Sequence, residues 1–198
     1  MSVNSYEACR AYGRGASSVT VMNMIAALWG FAEATVFFIV PDVFLSALGL
    51  RRLRIGLVAC LFALAGALIG GVVMYEWALR DARGSFAVVE AVPAVSSEML
   101  ERVHRSLAEK GVSAILAGPL FGIPYKAYAI QAAAIGIGLG SFLLVSIPAR
   151  LFRFLAVTFV CGWIGDRLMS AWTFRRKLAI LLTCWVVFYA FYLTVMPN

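Results

Sequence analysis

Five ionisable side chains stand out in this 198-residue sequence because they sit in apolar stretches: Glu33, Asp42, Lys126, Arg150 and Arg153. A charge at bilayer depth costs at least a few kcal/mol, which makes such residues candidates for function. Withdrawal from water disfavours an ionised carboxylate, so Glu33 or Asp42 can exchange protons. Lys126 offers a compact cation. Arg150 and Arg153, three residues apart, share one helix face and can clamp a phosphate if they face inward. Helix N-termini beside chain breaks add backbone donors for an anion. The chemistry is proton exchange at two acids and binding of an anionic headgroup at three cations. Structural readings compete: Glu33 paired with a buried arginine, and Arg150 and Arg153 snorkelling to the inner interface.

Other chemistry finds little support. The single histidine, His104, lies outside the apolar segments, and there is no Ser/His/Asp set and no H-E-x-x-H. The four cysteines, Cys9, Cys60, Cys161 and Cys184, form no C-x-x-C, and three read as small apolar fillers of helices. We expect no enzyme, no metal, no cofactor and no disulfide. The chain is 63% hydrophobic and 14% charged, with a mean hydropathy of +0.90, the composition of an integral membrane protein. The net charge of +7 does not indicate nucleic acid. The basic residues form short clusters between apolar runs (Arg51, Arg52, Arg54; Arg175, Arg176, Lys177), where topology signals are placed.

The elements that must hold the five residues are broken ones. Residues 19–50 form an apolar run interrupted by Glu33, Pro41 and Asp42. Proline strains a helix that continues through it, and broken backbone at membrane depth survives only inside protein or beside a watery cavity. We read a helix that enters, breaks near Pro41 and turns back; the alternative is one long, kinked span. Residues 1–18 read as a polar, basic flank. Residues 55–79 are long enough to span, and Gly66, Gly70 and Gly71 give them a small-residue packing face. Glu76 reads as interfacial. The polar linker 80–111 carries five basic and five acidic residues. Within it, 97–110 predicts an amphipathic helix capped by Ser96 or Ser97 and stopped by Gly111. Leu100, Val103 and Leu107 lie on one face, with Glu98–Arg102 and Glu101–Arg105 pairs on the other. Residues 112–140 are apolar and broken at Pro119, Gly122 and Pro124, just before Lys126. Residues 141–164 predict another span, and 178–196 a last one that reads as scaffolding.

A broken segment followed by a whole helix occurs twice, 19–79 and 112–164. Interrupted segments at corresponding positions mark transporter sites. If residues 1–18 and 51–54 both lie inside, 19–50 must re-enter, 55–79 crosses outward and the neutral linker lies outside. Then 112–140 re-enters from outside, 141–164 crosses back and 175–177 falls inside. Every strong basic cluster lands on the cytoplasmic face. The expected fold is an all-α integral membrane protein in one domain, 1–198. It is an inverted repeat of re-entrant hairpin plus transmembrane helix, with an additional C-terminal transmembrane helix.

Several motifs, in order, resemble the DedA family, also called the VTT or SNARE-associated-like family, in its YqaA-like branch. They are the E-x(8)-D stretch with Pro41 before Asp42, the run G-A-L-I-G-G-V-V-M-Y, and a linker ending K-G. The break G-P-L-F-G-I-P-Y-K and the sequence A-R-L-F-R-F follow. They cover about residues 25 to 165. The resemblance implies facing re-entrant hairpins, a multi-pass protein of a bacterial inner membrane, and lipids as partners. It implies lipid transport or scrambling, including polyprenyl-phosphate carriers, with coupling to a proton gradient. Glu33 and Asp42 fall on the family's acidic positions. The arginine pair that flanks the second proline in many members is missing, and Lys126 is the only cation beside that break.

The expected function is a transporter or scramblase of anionic lipid headgroups, with Glu33 and Asp42 for coupling and Lys126, Arg150 and Arg153 for binding. A proton- or ion-coupled small-solute transporter and a non-transporting scaffold are the alternatives. On one continuous helix Glu33 and Asp42 would lie roughly 13 Å apart along the axis. A turn at Pro41 changes that, and predicts Asp42 as a structural cap of the next helix with Glu33 as the working acid.

Overall fold

The computed structural model describes residues 3–118 and 122–195; Pro119, part of the expected second break, lies outside the described residues. Among these the chain is all-helical. The helices are α1 (Val3–Thr35), α2 (Asp42–Arg51), α3 (Leu53–Arg80), α4 (Ala82–Glu90), α5 (Ser97–Lys110), α6 (Ala114–Ala117), α7 (Tyr125–Ile135), α8 (Leu139–Arg167) and α9 (Phe174–Val195). Three are long and apolar enough to cross a membrane: α3 with 28 residues, α8 with 29 and α9 with 22. They contain or overlap the spans expected at 55–79, 141–164 and 178–196 and mark a membrane protein. The first helix differs from expectation. It begins at Val3, not near residue 19, because no proline interrupts the chain before Pro41.

Small residues set the packing of the first half. Gly66 lies against the Ala27 backbone, Gly30 against that of Ala63, and Gly70 against Ala34 and the Phe31 carbonyl. With no side chain between them α1 and α3 run in the same direction at close range, the contact that small residues permit between membrane helices. Between them the chain reverses. Thr35 ends α1, donating from Oγ1 to the Phe31 and Ala32 carbonyls at 3.0 Å each. Residues 36–41 are irregular and α2 starts at Asp42. That return brings Arg51 back beside Ser18, where both line one surface groove. Arg52, in extended conformation, then turns the chain into α3.

In the second half the short α6 comes first, residues 122–124 are irregular, α7 follows from Tyr125, and Gly136 (φ 84°) ends it in the left-handed conformation that glycine tolerates. Helix α8 then runs antiparallel to α3, with Tyr75 stacked on Phe142 at 6.0 Å and the Cys60 Sγ 3.3 Å from the Thr158 Oγ1. The short helices exchange partners: α2 packs chiefly on α8, and α7 on α3. Gly49 lies against Thr158, Gly165 against Leu50, and Gly71 against the Tyr125 ring.

The linker follows its sequence closely. Helix α5 covers Ser97–Lys110, and the Ser96 Oγ accepts from the Met99 N–H at 3.3 Å. Gly111 follows at φ 59°, and Met99, Leu100, Val103 and Leu107 are buried. Its polar face departs from expectation. The Glu98–Arg102 and Glu101–Arg105 pairs are not among the ion pairs of the described residues, which are Glu76–Arg80, Glu33–Arg150 and Asp42–Arg153. Exposed i,i+4 pairs gain too little to hold two long side chains in place. Helix α4 was not anticipated; Asp81 caps it, accepting from the Gly84 N–H at 2.9 Å.

The glycines give a paired test. A β-carbon on Gly66 would overlap the Ala27 carbonyl, whereas one on Gly140 meets nothing within 4 Å. Gly66→Leu is expected to destabilise by about 1–3 kcal/mol or more through overpacking. Gly140→Ala is expected to be neutral or mildly stabilising. Thermal unfolding in detergent measures both.

Candidate functional site: a charged cavity between two chain breaks

The two chain breaks meet. Lys126, at the second residue of α7 and 1% exposed, donates from Nζ to the Phe37 carbonyl at 2.8 Å. Other side chains satisfy further groups of the irregular backbone. The Trp29 Nε1 donates to the Ile39 carbonyl at 3.0 Å, and the Val40 N–H donates to the Tyr189 Oη at 2.8 Å. On the second break the Tyr192 Oη donates to the Gly122 carbonyl at 3.1 Å. Backbone freed from a helix away from water needs such partners. Lys126 therefore carries out a structural task that its sequence position beside the break did not reveal.

Helix α8 supplies the two arginines. Arg150 is buried and its Nη2 donates to the Glu33 Oε2. Its guanidinium lies over the Tyr125 ring, 4.4 Å from the centroid, and 5.2 Å from that of Phe154. One turn on, the Arg153 Nη2 lies 3.0 Å from the Asp42 Oδ2, and the Arg153 side chain keeps 27% of its surface exposed. That separation suits a hydrogen bond but the angles do not, so Arg153 Nη2 and Nε, like Asp42 Oδ1 and Arg150 Nε, have no hydrogen-bond partner. Geometry thus pairs Arg150 with the end of α1 and Arg153 with the start of α2. One face of α8 holds both legs of the first reversal.

All five candidates, Glu33, Asp42, Lys126, Arg150 and Arg153, line one cavity of about 560 Å³. One expectation is corrected. Asp42 does not cap α2: Pro41 occupies the cap position, no side chain caps it, and Asp42 faces Arg153 instead. A residue already in the first helical turn points its carboxylate sideways, toward the packed helix. Helix α9, which reads as scaffolding in the sequence, also borders the cavity. It has no buried residue, yet Trp185, Phe188, Tyr189 and Tyr192 form one wall of the cavity. The charged residues face aromatic side chains across the space, an arrangement with a polar end and an apolar end.

Sequence reasoning missed Tyr125, the platform under Arg150, and the two α9 tyrosines that bond the breaks. Tyr125 had a signal, since it follows Pro124 directly. The α9 aromatics resemble an ordinary interfacial belt and carried none. It also gave His104 no role, whereas its Nδ1 lies 2.9 Å from the Oε1 of Gln131, a buried residue whose Nε2 donates to the Leu100 carbonyl. This ties α5 to α7 outside the cavity. No metal-ligand cluster occurs among the described residues.

No protein-family model matches the chain, and no match was found among curated proteins or among solved structures. The site is therefore interpreted from its geometry.

The Glu33–Arg150 pair predicts a non-additive response. Glu33→Leu or Arg150→Met alone leaves a buried charge without its partner and is expected to cost about 3–5 kcal/mol. The double variant is expected to recover much of that loss, since apolar replacements of a buried pair are often neutral. A double-mutant cycle by thermal or denaturant unfolding in detergent reads the coupling directly; additive losses would contradict it.

Proposed function

We propose that this protein moves anionic lipid headgroups through the bilayer, as a lipid transporter or scramblase. The observation that carries this reading is the charge balance of the cavity. Three cations face two carboxylates: Arg150 pairs with Glu33 and Arg153 with Asp42, Lys126 has no carboxylate of its own, and the Arg153 Nε and Nη2 have no hydrogen-bond partner. Guanidinium donors without a hydrogen-bond acceptor at an apolar cavity favour a phosphate or carboxylate of a ligand. The aromatic wall of α9 suits the glycerol and acyl portions of a lipid. A cavity of about 560 Å³ holds a drug-sized group, so the head enters and the chains remain in the membrane.

The two broken segments are proposed to be re-entrant hairpins of an inverted repeat in a bacterial plasma membrane. Supporting this are the return of Arg51 beside Ser18 and the exchange of partners between short and long helices. The DedA resemblance rests on the motifs alone and agrees with the same arrangement. The division of labour is proposed to be the reverse of the sequence expectation. Glu33, fully engaged by Arg150, is structural. Asp42, with one free oxygen, and Arg153, with free donors, form the working pair, and coupling to protons runs through Asp42.

Reconstitution into liposomes with labelled phospholipid or labelled polyprenyl phosphate, with and without a proton gradient, tests the reading. Flux should exceed that of protein-free liposomes. Arg153→Gln, which removes charge-assisted hydrogen bonds, should lower it about tenfold or more. Asp42→Asn should fold and insert yet lose gradient dependence. Absence of flux from the wild type, or full flux from Arg153→Gln, would overturn the proposal.

The hairpin reading has its own test. In a background lacking the native cysteines, Ser18→Cys and Arg51→Cys are expected to react with an impermeant maleimide from the same side of the membrane. Labelling from opposite sides would make 19–50 a spanning helix.

A further inference from the structure

A second lipid-facing feature lies apart from the central cavity. A groove of about 550 Å³ opens between α1, α2 and the start of α9. Its walls are apolar, with Val21, Met22, Ile25, Phe44, Leu48 and Leu178 among them, and Arg51 is the one charged residue lining it among the described residues. The surroundings of Arg51 are strongly basic. Lys177 donates from Nζ to the Gly165 carbonyl at 2.6 Å, which sets the start of α9 at the end of α8. Gly165 packs on Leu50, which sets the end of α8 at the end of α2. Arg51, Arg52, Arg54, Arg167, Arg175, Arg176 and Lys177 therefore gather at one end of the bundle, with Asp166 as the single acid of those stretches.

We propose that this groove is a binding site for an anionic phospholipid, with an acyl chain along its apolar walls and the headgroup phosphate on Arg51 and its basic neighbours. Any membrane groove is filled by lipid; the inference here is selection by charge. An apolar slot opening at a basic rim on one membrane face is the arrangement that holds acidic headgroups. The groove joins α9 to the first hairpin. Helix α9 has no buried residue of its own, so a chain wedged there would fasten it to the bundle. This role does not depend on transport through the central cavity.

Thermal unfolding of the full chain in a mild detergent tests the site, with titration of dioleoyl phosphatidylglycerol or dioleoyl phosphatidylcholine. Phosphatidylglycerol is expected to raise the midpoint, and phosphatidylcholine to leave it nearly unchanged. High salt should erase the difference, because the rim arginines are exposed to screening. The triple variant Arg51→Gln, Arg175→Gln, Arg176→Gln should lose the phosphatidylglycerol shift, and the corresponding lysine variant should keep it. Arg153→Gln, which alters only the central cavity, should also keep it. Equal shifts from both lipids, a salt-independent shift, or a shift lost in Arg153→Gln but kept in the triple variant would overturn the proposal. If the triple variant does not fold, the lipid comparison and its salt dependence on the wild type decide.

Discussion

The ion pair between Glu33 and Arg150 is the interaction on which the rest of the arrangement depends. Each partner is buried, and neither charge could remain there alone at tolerable cost. Their pairing fixes α1 to α8, the first half of the chain to the second. Once α8 is held in that rotation, Arg153 faces Asp42 one turn away and Tyr125 lies beneath the Arg150 guanidinium. The glycines of α3 make this possible by letting α1 approach closely on one side and Tyr125 on the other. Close packing in the first half and charge placement in the second are one structural problem.

The chain breaks obey a second constraint, the need of every buried backbone group for a partner. Their partners come from near and far: Trp29 from the same segment, Lys126 from the start of α7, Tyr189 and Tyr192 from the last helix. The breaks are stable only when the whole bundle is assembled. Here polar side chains finish the backbone, while Arg153 and Asp42 face each other across the cavity with the Arg153 Nε and Asp42 Oδ1 left without a hydrogen-bond partner.

Much of this was legible in the residues. Proline within apolar runs marked both breaks, and the charged residues inside apolar segments identified the cavity lining. Ser96, the Leu100–Val103–Leu107 face and Gly111 gave α5 almost residue by residue. These are local signals, in which spacing and residue type suffice. What stayed hidden depends on three-dimensional neighbours. Nothing in the spacing of Glu33 and Asp42 says which of them meets Arg150 and which Arg153. Tyr189 and Tyr192 resembled any aromatic belt until the backbone groups they satisfy were known. The Glu98–Arg102 and Glu101–Arg105 pairs had suitable spacing, but a solvated helix face gives too little reason for them to close.

The partners of the central ion pair stand 117 residues apart in the chain, and that separation bears on how the protein is made. At synthesis rates of about 5–20 residues per second, Glu33 leaves the ribosome roughly 6 to 23 seconds before Arg150. During that interval the first reversal exists without its countercharge, without the Lys126 that closes the Phe37 carbonyl and without the tyrosines of α9. The early half of the nascent chain has to be kept where water or the insertion machinery can satisfy those groups. The packing of the first reversal thus becomes final only when the last third of the chain arrives.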